Sequence, residues 1–257
     1  PALDAAARQL LGAEALDDQA VPRLLRQARE AGHDLQVIDV TDPGLPVIVN
    51  TLELAAPTAA LCVDGGRLCV VETSGRVRLF DVADPANPVL IGAITGLVAP
   101  TAATLVGPHL YLSDDAALWI WDVTDPALAQ LAGNLTDFRR AQDLVVAGDL
   151  MLVPGSGVRL LDIGDRTQPV LRATFGRETS AMAVACSEER FCLAEGGGAL
   201  RVFDRGNSHL APVGAGVSFG VRAFQLALDG PLAYVSAADN TIRVVDISDP
   251  LTPLEIG

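Results

Sequence analysis

Lysine is missing from this 257-residue chain: all 18 basic residues are arginine, set against 32 acidic ones for a net charge of −14. A lysine nucleophile or Schiff base is therefore excluded. A surface of this sign repels phosphate backbones and anionic headgroups, which argues against nucleic acid as a partner. The three histidines, His33, His109 and His209, fall in different parts of the chain without a partner at metal-ligand spacing, and the four cysteines include no CxxC pair. No metal site and no cofactor are expected on that basis. No Gly-x-Ser-x-Gly elbow and no acidic calcium loop is present. Gly155-Ser156-Gly157, Gly196-Gly197-Gly198 and Gly214-Ala215-Gly216 precede strand patterns, so no helix N-terminus stands ready for a phosphate. The longest stretch without Asp, Glu or Arg, from Pro85 to Ser113, is broken by Pro88, Pro100 and Pro108. A membrane-spanning helix is not expected there. No signal-peptide pattern is visible, and because the chain starts at Pro1 this decides nothing about export.

What the chain has is a repeat. The stretch Val77-Arg78-Leu79-Phe80-Asp81-Val82-Ala83-Asp84-Pro85 recurs at Leu35 to Pro43, Leu118 to Pro126, Val158 to Arg166, Leu200 to Ser208 and Ile242 to Pro250. The aspartates Asp39, Asp81, Asp122, Asp162, Asp204 and Asp246 follow one another at intervals of 40 to 42 residues. Such a period marks stacked or radial units. The best-formed copy divides into four strands, Thr58 to Val63, Arg67 to Glu72, Val77 to Val82 and Pro88 to Ile94, with Gly or Pro turns between them. Val77 and Leu79 fall on one face of the third strand and Phe80 and Val82 on the other. The strand therefore has to be covered from both sides, as neighbouring blades of a β-propeller would cover it. The strand-ending Asp, followed three residues on by Asp-Pro at Asp42-Pro43, Asp84-Pro85, Asp125-Pro126 and Asp249-Pro250 and by the degraded versions Asp165-Arg166 and Asn207-Ser208, reads as a turn device in which the carboxylate accepts backbone N–H groups.

The segments Leu35 to Pro43 and Ile242 to Pro250 resemble the LVIVD repeat, found in bacterial and archaeal proteins often described as cell-surface or exported. The resemblance covers about residues 35 to 257. It implies a β-propeller and an extracytoplasmic or surface setting, with the cytoplasm as the alternative, and it implies no catalytic residues.

The expected architecture is all-β, a propeller of four-stranded antiparallel blades. Five blades are full, beginning near Thr58, Thr101, Gln142, Ala181 and Arg222, and one partial blade runs from Leu35 to Leu54. Residues 1–34 form a separate segment ahead of the repeat domain 35–257. Helical periodicity at Leu3, Ala6, Ala7, Leu10 and Leu11, and again from Pro22 to Glu30, predicts two short helices in that segment. The partial blade lacks the two strands before its third, and that edge invites self-association.

Sites break the symmetry of a scaffold, whereas structure repeats it. Turn capping accounts for all six repeated aspartates, and Arg78, Arg159, Arg201 and Arg243 occupy one repeated strand position. Departures from the repeat are the binding candidates. Arg139, Arg140, Arg177 and Arg222 precede first strands. Glu72, Asp114, Asp115, Glu195 and Asp239 stand at the second-to-third-strand loops, at the same end of the blades. Arginines gathered there would hold a carboxylate or phosphate; the competing reading is a rim whose charges pair with each other. Trp119 stands where its counterparts carry Arg or Gln, as a partner anchor or as inter-blade packing. Cys62 and Cys69 face each other across Gly65-Gly66, with Cys186 and Cys192 in a similar stretch. Free buried thiols are favoured over a disulfide. The leading functional expectation is a non-enzymatic binding or scaffold module for a protein or glycan partner. The alternative is a hydrolase or lyase with an Arg and carboxylate site.

Overall fold

The computed structural model describes residues 24–25, 34–39, 41, 45–138, 140–187, 190–204 and 212–257. Apart from two single-turn 3-10 helices, Pro126–Leu128 and Thr136–Phe138, every regular element among them is a strand. None of the described helices is long and apolar enough to cross a membrane. The chain divides into two compact units at Ala141 and Gln142.

The first unit holds three antiparallel sheets, each taken up in sequence order. Blade 1 consists of β1 (Leu24–Leu25), β2 (Asp34–Asp39) and β3 (Val47–Glu53). Blade 2 consists of β4 (Thr58–Asp64), β5 (Arg67–Glu72), β6 (Val77–Asp81) and β7 (Val89–Ile94). Blade 3 consists of β8 (Ala102–Val106), β9 (His109–Ser113), β10 (Leu118–Asp122) and β11 (Gln130–Leu135). In the second unit β12 (Val145–Ala147), β13 (Leu150–Asp162), β14 (Val170–Cys186), β15 (Arg190–Glu195), β16 (Ala199–Asp204) and β17 (Pro212–Ser218) make one six-stranded sheet. A last four-stranded sheet, blade 6, holds β18 (Ala223–Asp229), β19 (Leu232–Ala237), β20 (Ile242–Asp246) and β21 (Leu254–Glu255).

The six-stranded sheet is two blades joined by one strand. The first part of β14, Val170 to Phe175, pairs with β13, and the second part, Ala181 to Cys186, pairs with β15. The link Gly176-Arg177-Glu178-Thr179-Ser180 has no proline to stop it, unlike the links at Pro57 and Pro100. The strand therefore continues from blade 4 into blade 5.

The N-terminal expectation needs a correction. Helical periodicity placed Leu24 and Leu25 in a helix, but they form a strand opposite Val37 and Gln36. The backbone of β2 has hydrogen bonds to satisfy on that edge, and a tertiary pairing of this kind overrides a local propensity worth tenths of a kcal/mol per residue. Blade 1 thus has a short second strand where none was expected. The remaining helical positions, and Arg139, lie outside the described residues.

The core lies between blades. Leu35 and Val37 of blade 1 pack with Val63, Leu68, Val70, Phe80 and Val82 of blade 2. The opposite face of blade 2, with Cys69, Val71, Val77 and Leu79, packs on Leu105, Leu110, Leu112 and Val123 of blade 3. In the second unit Leu152, Val158 and Leu160 meet Val184, Leu193 and Phe203, whose ring stacks on Phe191 at 4.6 Å. The other face of blade 5, with Cys192, Ala194, Leu200 and Val202, meets Ala233, Val235 and Val245 of blade 6. The third strands of blades 2 and 5 are covered on both faces as their apolar alternation requires, at about 1.5–3 kcal/mol for each fully buried Val, Leu or Phe, whereas Ile242 on the third strand of blade 6 is exposed.

Polar contacts lock neighbouring blades. Arg67, at the start of β5, donates to the Val123 carbonyl at 3.0 Å, and Arg190, its counterpart at the start of β15, donates to the carbonyls of Ile247 and Ser248. Asn50 on β3 donates to the Ala86 carbonyl at 2.6 Å. One blade on, the same position on β7 is Gly92, where a Cβ would overlap the Pro126 carbonyl of the next blade. Close approach of two backbones is the reason for glycine there. All four cysteines are free thiols; Cys62 and Cys69 are direct cross-strand partners, while Cys192 lies opposite Ala185. Burial, with the neighbouring Cys62 thiol, pushes the Cys69 thiol well up, and burial pushes Cys192 up to about 12.

Candidate interaction surface

Two ends of each blade have different chemistry, and the difference begins with local hydrogen bonding. At one end the third strand closes on the repeated aspartate. Asp39, Asp122, Asp162 and Asp246 accept the N–H two residues on at 2.8 Å, and Asp81 does so at 2.9 Å. The following Asp84, Asp125, Asp165 and Asp249 repeat the motif at 2.9–3.1 Å. Thr or Ser two residues on adds a hydroxyl to Asp39, Asp122 and Asp246, and these donors hold the three carboxyls below the usual range. Arg172 does the same for Asp162. Each of these nine carboxylates accepts a backbone N–H of its own turn. For Asp204 the residue two positions on lies outside the described residues.

At the other end, first strands start and second strands stop. The registers Thr58↔Glu72, Ala181↔Glu195 and Ala223↔Ala237 place these positions side by side. Here the acids vary. Glu72 is fully buried, with Arg78 Nε 2.9 Å from its Oε1 outside ideal hydrogen-bond geometry and the Ser74 hydroxyl on its other oxygen. Glu195, also buried, takes the Arg201 Nε at 2.6 Å. Asp114 occupies the equivalent place in blade 3 without an arginine. Burial works against its charge, but the N–H groups of Val98, Ala117 and Ala116, with the Trp119 indole beside it, outweigh that and hold its carboxyl below the usual range. The Trp119 N–H falls short of a well-formed hydrogen bond, and its half-buried ring packs on the core between blades 2 and 3.

Arg140, exposed and at φ 56°, is clamped bidentately by Asp115 at 2.6 and 2.9 Å. Asp239 accepts from Thr241 and Arg243, in that order of influence on its lowered pKa, and Arg243 also reaches Glu255 at 2.9 Å. Of Arg177 only the backbone, on β14, is described. The sequence-named charges at this end are thus mostly neutralised within their own blades.

Arg222 is different. Its guanidinium lies over the Phe224 ring, 5.5 Å from the centroid, and its Nη2 is 3.5 Å from the Met182 sulfur. Phe224 is 42 % exposed. Sequence reasoning passed over Phe224 and Met182, although a signal existed. Both occupy β-bulges at the start of a first strand, skipped between Ala223 and Gln225 and between Ala181 and Ala183, where blade 2 has Ala59. A bulge re-aims the extra side chain. Asp143, at the start of the blade 4 first strand, was also missed. Burial pushes its carboxyl up to about 6, opposed by the Leu144 N–H.

Comparison with known proteins bears on the fold. Residues 222–257 match the LVIVD repeat. No curated protein matches the chain in sequence. Among solved structures, the Cps50 (Swd1) β-propeller domain of Myceliophteria thermophila aligns at TM-score 0.67 and 16 % identity, over 83 % of this chain and 76 % of that one. Sqt1 of Saccharomyces cerevisiae aligns at 0.63 and 9 %, over 88 % and 79 %. The computationally designed Ika8 protein aligns at 0.65 and 14 %, over 88 % and 71 %. The chain is similar to these in fold alone.

Proposed function

We propose that this LVIVD-repeat β-propeller is a non-catalytic binding module that presents the first-strand end of blades 5 and 6 to a protein partner. One observation carries the reading. Among the described residues at the first-strand ends of the blades, the acids and most of the arginines are spent on each other or on backbone N–H groups, and what is left open, on blade 6, is an exposed phenylalanine with a guanidinium stacked on it. Exposed aromatic and arginine side chains are the residues that dominate protein interfaces. A net charge of −14 works against a partner whose contacting surface is strongly acidic. An extracytoplasmic or surface setting remains our proposal from the LVIVD resemblance, to be checked by fractionating the native host.

Immobilised protein is expected to retain a defined set of partners that an Arg222→Glu, Phe224→Glu double variant of equal thermal stability does not. Identical retention by the two proteins, or retention by neither, would overturn the reading.

The alternative of a hydrolase or lyase has one observation in its favour, the Asp143 carboxyl poised near neutral pH. Its test is direct. Turnover of simple ester, phosphoester or glycoside substrates that disappears in Asp143→Asn would establish the enzyme; the binding module gives none.

A further inference from the structure

We propose that Arg222, Phe224 and Met182 form a receptor for the C-terminal carboxylate of a peptide whose last residue is apolar. The inference rests on the partner-binding reading above and supplies its chemistry.

Three features of the cluster lead there. First, Arg222 is exposed, and among the described residues no carboxylate pairs with it; its contacts are the Phe224 ring and the Met182 thioether. Arg140, Arg201 and Arg243 all have a carboxylate at 2.6 Å. A guanidinium has five N–H donors, and a thioether is a weak acceptor for one of them. The remaining donors match a carboxylate, which they can hold bidentately. Second, the ring beneath the charge fixes the guanidinium by cation–π attraction and leaves 42 % of Phe224 to be covered by something apolar. Third, two successive bulges place both apolar side chains beside the same arginine, within the 5.5 and 3.5 Å that separate its guanidinium from ring and sulfur.

A ligand for this surface must offer negative charge and apolar surface within a few ångströms of each other. The last residue of a peptide does so on a single Cα. The field of the chain selects further: at −14, repulsion of a phosphate dianion or a run of acidic side chains is strong, and of one terminal carboxylate the least. A single arginine is also half of what a dianion ordinarily recruits. The terminus of an otherwise uncharged segment is therefore the occupant that the charges and the exposed ring both fit.

The test uses the full chain and three N-acetylated pentapeptides: Gly-Ser-Gly-Ser-Leu as the free acid, the same sequence as the C-terminal amide, and Gly-Ser-Asp-Ser-Leu as the amide. Titration is followed by calorimetry or by chemical shifts. The free acid is expected to bind saturably, with a Kd on the order of millimolar for so small a contact, and both amides about tenfold or more weaker. Arg222→Gln should lose the discrimination between acid and amide. Arg222→Lys should keep part of it, since an ammonium cannot make the paired contact. Phe224→Ala should weaken the acid several-fold while melting as the wild type does. Equal binding of acid and amide, undiminished binding by Arg222→Gln, or no saturable binding of the acid would overturn the proposal. Preference for the internal aspartate would overturn the choice of a terminus. If the peptides fail while the double variant still loses its partners, only this carboxylate chemistry falls; if neither assay responds, the partner-binding reading falls with it.

Discussion

Blade 2 and blade 6 each use the arginine at the second position of the third strand, and they use it in opposite surroundings. In blade 2, Arg78 and Glu72 are 15 % and 0 % exposed, and Arg78 also donates to the Glu53 carbonyl at 3.1 Å. In blade 6, Arg243 and its partner Asp239 are 27 % and 33 % exposed. The acid has moved by two residues, from the end of the second strand, where blade 6 has Ala237, into the turn that follows. Water solvates the blade 6 pair whether or not it forms, whereas the blade 2 pair has lost its water and depends on its partner. One repeated letter in the sequence therefore stands for two physical situations. A pair of this kind supports stability in blade 2 and arranges surface charge in blade 6.

The strongest test of that contrast is to break the buried pair from one side. Glu72→Ala leaves the Arg78 guanidinium largely desolvated and uncompensated, and is expected to cost about 3 kcal/mol in chemical denaturation. Replacing both partners, Glu72→Met with Arg78→Leu, should recover most of the loss, because an apolar pair of similar volume needs no solvation. A double variant as unstable as the single one would show that Glu72 acts through something other than Arg78, such as the Ser74 hydroxyl on its second oxygen.

How much of this was legible in the sequence follows from the range of the forces involved. The four strands of blade 2 were read as 58–63, 67–72, 77–82 and 88–94 and stand at Thr58–Asp64, Arg67–Glu72, Val77–Asp81 and Val89–Ile94. Alternation and turn residues are local, and so are the Asp81 and Asp84 turns that accept an N–H two residues away. The continuity of β14 was not legible, because a strand ends only where something ends it and the link at 176–180 lacks that residue. Burial of Glu72 was not legible either: it depends on the packing of residues far off in sequence, which a single blade does not encode. Phe224 was the nearest miss. The bulge that exposes it is a register event between two strands, but an aromatic residue where another first strand carries alanine marks a departure from the repeat in the sequence itself.

Asp143 sharpens the comparison from the other side, since it is a half-buried acid at the same end of a blade with no arginine paired to it among the described residues. The sign of its effect is opposite. Its folded pKa, about 6, lies above the ordinary 3.8, so the folded state binds a proton that the unfolded state releases. Its cost is absent below pH 4, grows as pH rises to about 6, and is constant above that. Asp143→Asn, which keeps an oxygen for the Leu144 N–H, should stabilise the protein by about 2 kcal/mol at pH 7 after allowance for the solvent that reaches it. Melting curves of the two proteins should converge at pH 4. A difference that stayed constant from pH 4 to pH 8 would show that the charge of Asp143 is not what is being removed.

The smallest effect belongs to blade 6. Arg243→Met removes the one arginine shared by two surface acids, of which Asp239 still accepts from the Thr241 hydroxyl at 2.6 Å and Glu255 is left to water. The carboxyl of Asp239 is lowered first by that hydroxyl and only then by the arginine, so the leading cause survives the substitution. A slight fall in melting temperature is expected at low ionic strength, vanishing in molar salt, where the screening length is about 3 Å and the pair is invisible to its surroundings. The corresponding loss in Glu72→Ala should persist in the same salt, because no ion can enter the packed side of blade 2 to screen it. Equal salt sensitivity of the two variants would mean that the buried pair is wetter than its exposures imply, and the distinction between the two blades would then disappear.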